Sequence, residues 1–327
     1  LVAANILTGE VNPSGHTVDI WPSDFTKDPT FTNFSDMSQN VDEEGNRMDA
    51  WLKYEDGTLS LFCDTEFREG IYYGYRYYET KAHDDADGES WYQEAVTYPF
   101  GYGLSYTTFD WELAGASDPA ITAANQVISV SVKVTNTGSV AGKEVVEVYA
   151  SAPYFDGGIE KAHKVLVGFA KTELLKPGAS ETVTVTVDPY TMASYDYRDA
   201  NDNGFCGYEL EAGDYTLYVG RNAHQEEAAL RMTVEDDIRW ETDPVTDNEV
   251  TNLYTDGDFL DSDWQLDTVL SRSDWEGTWP TAQTAETHKG SDQLYEELKD
   301  TEHNNPTDFD SEEYPWFDEE TDLTLRS

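Results

Sequence analysis

Three stretches of this chain alternate so strictly that a half-buried strand is the conformation that satisfies them. In "VISVSVKVTNTG" the residues Ile128, Val130, Val132 and Val134 share one face. "ETVTVTVDPY" turns Val183, Val185 and Val187 inward and its threonines outward, and "GDYTLYVG" does the same with Tyr215, Leu217 and Val219. A period of two puts alternate side chains on opposite faces of a sheet. "EVVEVYASAP" and "HKVLVGFAKTELLKPG" supply further strands and a Pro-Gly turn. Short alternating strands separated by turns predict an antiparallel β-sandwich of roughly 110 residues, set here at 114–235. It is expected to fold on its own, with Val132 inside and Thr184 outside.

The fold class is therefore mainly β, the sandwich being immunoglobulin-like or fibronectin type III-like. Residues 1–113 precede it with a helix end, Gly-rich loops and many aromatics. "REGIYYGYRYYET", from Arg68 to Thr80, is dense in tyrosine and has strand-favouring character. "LVAANIL" reads as the last turns of a helix, with Gly9 as its cap. A domain rarely begins this way, so the chain is expected to be part of something longer. Residues 236–327 carry 27 acidic and 5 basic side chains, a net −22, together with Trp240, Trp264, Trp275, Trp279 and Trp316. That composition predicts an extended arm pinned by its aromatics, with Trp275 and Trp279 as anchors because Gly277 and Pro280 bend the stretch. "SDQLYEELKDTE", capped by Ser291, is its one helical signal.

Charge narrows the partners. The 327 residues hold 20 basic and 66 acidic side chains, a net −46. Nucleic acid needs a cationic surface and is excluded as a partner, and docking on anionic lipid is equally disfavoured. No stretch approaches the roughly 18 apolar residues of a membrane span. The acidic, cysteine-poor and sequon-poor composition suits a bacterial protein, either cytoplasmic or displayed at the cell surface.

Several local patterns imitate sites. Asp199, Asn201, Asn203 and Gly204 fit four positions of a calcium loop, but the twelfth is Leu210, where a bidentate Glu is needed. Asp, Asn and Gly also make ordinary turns, so no metal ligand is assigned. The six histidines, among them His83, His163 and His224, form no HExxH pair. Cys63 and Cys206 allow one disulfide or two ordinary thiols, and Asn33-Phe34-Ser35 is a lone sequon. No cofactor is implied. "YPFGYGLSYTTF", from Tyr98 to Phe109, lacks the third glycine of a phosphate cradle and reads as a pinned corner.

Taken together, "LTGEVNPSG", "EGIYYGYRYY" and "YPFGYGLSYTTF" resemble, in order, the end of the α/β-sandwich domain of glycoside hydrolase family 3. "VKVTNTGSVAGKEVVEVY", "LVGFAKTELLKPGASETVTV" and "LEAGDYTLYVG" are similar to the fibronectin type III-like domain that follows it there. The resemblance covers about residues 1–234. It implies a retaining β-glycosidase of the β-glucosidase kind, acting on terminal β-linked sugars, with "YPFGYGLSYTTF" as the corner between the two domains. Retention needs two carboxyl groups roughly 5–5.5 Å apart. The family draws its nucleophile from a separate barrel and its acid/base from earlier in the sandwich domain, so no catalytic residue is assigned here. The partners implied are a carbohydrate, bound through the complete enzyme, and the barrel with the rest of the sandwich as another segment or chain.

The family nucleophile often stands in a Ser-Asp-Trp context, which Asp263 and Asp274 imitate. A barrel needs roughly 200 residues, and neither site has them around it. "VLSRSDWEGTWPT" instead resembles the connector of members with permuted domain order. Tyr72, Tyr73 and Tyr75 are the candidates for sugar stacking, with packing as their alternative role. Two other readings stay open: a carbohydrate-binding or accessory module without hydrolytic activity, and an adhesion protein whose acidic loops take calcium.

Overall fold

A computed structural model describes residues 2–32, 51–53, 59–61, 67–250 and 269–281. The chain divides into two bodies, Leu1–Ser35 with Thr65–Gln283, and Asp36–Asp64 with Thr284–Ser327. Helix α1 (Val2–Leu7) ends where the Gly9 amide bonds the Ile6 carbonyl at 2.9 Å. Strand β1 (Trp21–Pro22) follows, then β2 (Trp51–Lys53) and β3 (Leu59–Leu61), an antiparallel pair in the second body. Next come α2 (Tyr75–Asp84), α3 (Gly88–Ala95) and β4 (Val96–Tyr98), which pairs with β1.

The sandwich opens at β5 (Phe109–Ala116) and continues through β6 (Ala120–Ile121), β7 (Ile128–Asn136), β8 (Val145–Ser151), β9 (Val165–Lys171) and β10 (Ser180–Val187). β11 (Ser194–Asp196), β12 (Gly207–Leu210), β13 (Gly213–Gly220), β14 (Glu226–Val234) and β15 (Ile238–Trp240) complete it. One sheet runs β10-β7-β5 and another β6-β14-β13-β8-β9, with β11-β12-β15 as a smaller third. Their inner side chains share one core.

The alternation is realised as read. Ile128, Val130, Val132 and Val134 are buried, and so are Val183, Val185, Val187, Tyr215, Leu217 and Val219. In the β10–β7 register Val183 lies opposite Val132 and Val185 opposite Val130. On the outer face the Ser131 and Thr184 hydroxyls bond at 2.8 Å. Strand β8 differs, because it is buried on both faces from Val145 to Ala150. Val146, Val148 and Ala150 enter the sandwich core, whereas Tyr149 and Glu147 meet the residues that precede the sandwich.

The tyrosine-rich stretch corrects its strand-favouring reading: from Tyr75 onward it is α2. Helix packing overrides the β preference of tyrosine, because the helical turn brings Tyr77 and Tyr78 into a second core with Tyr72, Tyr92, Ile20 and Leu270. The Tyr78 hydroxyl donates to Asp28 at 3.2 Å, which satisfies its polar end. The helix N-terminus is Gly74, at φ 54°.

Candidate functional site

The three tyrosines proposed for sugar contact fall in three environments. Tyr72 is fully buried, and its hydroxyl donates to Glu160 Oε2 at 2.5 Å. Burial, reinforced by the Glu160 charge, keeps that hydroxyl protonated far beyond the usual tyrosine range. Tyr73 is half exposed, with the Arg76 guanidinium 5.2 Å from its ring centre. Tyr75 is partly buried, its hydroxyl accepts the Leu166 amide at 2.8 Å, and its ring lies 4.5 Å from that of Phe100. Tyr72 therefore belongs to a joint and Tyr75 to the seam with β9, while Tyr73 offers a ring to solvent.

The joint gathers three segments. Glu160, on the loop between β8 and β9, accepts from Tyr72, from Ser271 Oγ at 2.5 Å and from the Arg272 amide at 3.1 Å. The Arg272 guanidinium makes a two-pronged contact with Asp84 at the end of α2, at 2.6 and 2.7 Å. It also donates to the Lys161 carbonyl at 3.0 Å and lies over the Tyr154 ring. The Trp275 ring meets Tyr72 at 4.8 Å and Tyr77 at 5.5 Å, and Trp279 meets Tyr77 at 5.5 Å. Both tryptophans thus anchor the stretch as expected.

The "YPFGYGLSYTTF" corner wraps His16. The imidazole Nδ1 lies 2.5 Å from the Gly101 carbonyl oxygen, which can only accept, so Nδ1 carries a proton. Gly101 has φ +81°, and a Cβ there would lie 2.2 Å from Glu147 Oε2. Only glycine meets both demands. Glu147 is 5% exposed and accepts from the Tyr149 hydroxyl at 2.6 Å. Burial pushes its carboxyl up to about 7; the Tyr149 bond opposes this and the Glu144 charge adds to it. A cleft of about 270 Å³ opens beside the corner, lined by His16, Tyr102, Phe109, Glu144 and Arg221 among others. Arg221 is engaged by Glu227, Glu144 and the Phe109 carbonyl.

Sequence reasoning missed two further residues. Asn12 ties the corner to the sandwich: its amide donates to the Ala141 carbonyl at 3.0 Å and its oxygen accepts the Tyr106 amide at 2.8 Å. Its place at the head of the turn Asn12-Pro13-Ser14-Gly15 is the only local signal. His224 sits between two helices, with Nδ1 3.2 Å from Glu79 of α2 and Nε2 3.2 Å from Glu89 of α3, and its ring stacks on Tyr92 at 3.7 Å. Burial works against its charged form, but the bonds and charges of Glu79 and Glu89 outweigh this and raise its pKa above the usual value.

The imitative patterns resolve as turns where they are described. Asp274 accepts the Gly277 amide at 2.9 Å, in an exposed turn closed by the Thr278 amide on its own carbonyl at 3.1 Å. Asp199 accepts the amides of Asn203 and Gly204, while the Asn201 and Asn203 amides donate to buried Glu209. Among the described residues no group of three or more His, Cys, Asp or Glu is placed to hold a metal, and no helix is long and apolar enough to cross a membrane. Cys206 is a free thiol. Asp263, Cys63, the Asn33 sequon and the Ser291 helix signal lie outside the described residues.

Comparison with known proteins accords with this architecture. The fibronectin type III-like domain family matches residues 144–223. Beta-glucosidase A of Butyrivibrio fibrisolvens is 38% identical over 230 residues, which cover 67% of this chain and 23% of that protein. A beta-glucosidase of Ruminococcus albus is 34% identical over 71% of this chain and 20% of its own length. Among solved structures, a beta-glucosidase from Paenibacillus barengoltzii superposes with a TM-score of 0.54 at 32% identity, over 72% of this chain and 22% of that one. The GH3 beta-glucosidase of Bifidobacterium adolescentis gives 0.51 at 28% identity, over 75% and 30%. The chain thus spans about a fifth to a quarter of the length of these curated relatives. Its relatives over about 70% of its length are thus glycoside hydrolase family 3 β-glucosidases, and residues 144–223 match the fibronectin type III-like domain.

Proposed function

We propose that this chain is a portion of a retaining β-glycosidase that bears neither catalytic carboxylate. The complete enzyme removes terminal β-linked sugars, and this portion scaffolds and partly walls its active site. The observation that carries the reading is Asp274. It has the Ser-Asp-Trp context of a family nucleophile, yet it stands exposed and bonds the backbone of its own turn. A catalytic carboxylate needs a shaped, partly desolvated pocket with a second carboxyl in reach. The family relationship supports the substrate class. Residues 1–113 are assigned to the end of the α/β-sandwich domain, 114–235 to the fibronectin-like domain, whose strands β5 and β15 extend beyond those bounds to Phe109 and Trp240, and 236–327 to a connector toward the barrel, which another segment or chain supplies.

The test is an assay of the purified 327-residue chain on an aryl β-glucoside. The expected result is no turnover; turnover abolished by Asp274→Ala would overturn the reading. A second reading, a carbohydrate-binding module, draws on the exposed Tyr73 ring. Retention on an insoluble glycan that is lost in Tyr73→Ala would favour it.

A further inference from the structure

The segment from Leu270 to Pro280 has the attributes of a ligand rather than of a linker. It is folded on itself before any outside contact is counted. Asp274 closes the turn through the Gly277 and Thr278 amides, and the Ser271 amide donates to Thr278 Oγ1 at 2.9 Å, joining the two ends of the knob. A Cβ at Gly277 would lie 2.2 Å from Asp274 Oδ2, so the carboxylate sits directly against the turn that it closes. Internal bonds of this kind lower the ordering cost of docking.

The surface beneath is complementary to it. Leu270 is 1% exposed, and its amide donates to the Arg68 carbonyl at 2.7 Å. The Arg272 side chain is 8% exposed, with both prongs on Asp84 and a third donor on the Lys161 carbonyl. Glu160 receives a hydroxyl and an amide from the segment on a carboxylate already oriented by Tyr72. The Trp275 and Trp279 rings lie against the tyrosine core. A nearly buried arginine with a two-pronged carboxylate partner, beside a tryptophan laid on the buried Tyr72 and Tyr77, is the pattern of an interface in which few residues carry the binding.

We infer that the groove between α2 and the β8–β9 loop is a receptor site for the peptide Leu-Ser-Arg-Ser-Asp-Trp-Glu-Gly-Thr-Trp of residues 270–279, held by its own contacts rather than by its covalent tie to the sandwich. This is independent of the glycosidase reading. Arg272 supplies the charge recognition and Trp275 the apolar anchor.

The experiment empties the groove in the full chain. Arg272→Ala with Trp275→Ala removes the resident segment's grip, and a fluorescent synthetic peptide of residues 269–281 is then titrated in by anisotropy. The expected result is saturable binding to the double variant, at least tenfold tighter than to the unmodified chain, whose groove is filled. A peptide carrying the same two alanines is expected to bind at least tenfold more weakly. Equal binding to both chains, or to both peptides, overturns the inference. Should circular dichroism show the double variant unfolded, a site-specific protease sequence replaces residues 256–261 in the otherwise unmodified chain. After cutting, co-elution of the two pieces at micromolar concentration and release by excess peptide support the inference. Separation on cutting, or no release by the peptide, overturns it.

Discussion

Glu147 is the residue at which packing and titration meet. It lies on β8 under Gly101, with its carboxyl near 7 because burial disfavours its charge. The folded protein therefore binds a proton more tightly than the unfolded chain, whose carboxyl titrates near 4.5. Its stabilising contribution is full below 4.5 and is lost as pH rises through about 7. The difference corresponds to roughly 3 kcal/mol. Glu147→Gln keeps an acceptor for Tyr149 and removes the titration. Urea unfolding at pH 5 and pH 8 is expected to show the native chain losing about 3 kcal/mol relative to the variant as pH rises. Parallel profiles would show that Glu147 is ionised at no cost.

Among the elements, β7 and β10 test the facing of the sandwich. Val132→Asp puts a charge opposite Val183 in the core. An unpaired buried charge costs about 3–5 kcal/mol, so the full chain is expected to unfold far earlier in a thermal melt. Thr184→Asp gives up one bond to Ser131 on an exposed face and is expected to cost within about 1 kcal/mol. Strands with one wet face announce themselves, because the solvent-facing residues mark the period; β7, β10 and β13 were legible for that reason. β8 hides its second interface, since its run of valines, Glu147 and Tyr149 is buried throughout and no wet residue shows which side faces what. Helix α2 was illegible because tyrosine leans toward strand in isolation, and the partners that make it helical lie on other segments: Asp28, Trp275 and Trp279. The two tryptophans could be read as anchors, since a bend set by Gly and Pro is local. Asn12 and His224 could not, because their partners lie 94 and 145 residues away.

Across the whole body, the helices and the sandwich are held by a seam with polar hubs. His224 bridges Glu79 and Glu89 while Lys164 reaches Glu79 and Glu226. With its pKa raised, the His224 contribution is full below 6.5 and is lost as pH rises through the folded value. His163 works the other way. Burial holds it near 2, with the charges of His83 and Lys164 adding to the effect, so it costs stability as pH falls below 6.5. The native profile is a balance, and single variants separate it. His224→Gln is expected to lower the melting temperature at pH 5.5, by the equivalent of roughly 1 kcal/mol, and to leave it nearly unchanged at pH 8.5. A loss of equal size at both pH values would assign the ring a packing role through Tyr92 alone.

Double burial of β8 bears on how this architecture can be cut and recombined. A sandwich excised at residue 114 would divide β5, whose pairing with β7 begins at Phe109 opposite Asn136. It would also bare Tyr149 and Glu147, which rest on Tyr75 and the Gly101 corner. The fibronectin-like part, expected from its strands to fold alone, is therefore expected to melt lower when excised than within the full chain. In chimaeras it should travel together with α2, α3 and the corner, as one inherited block.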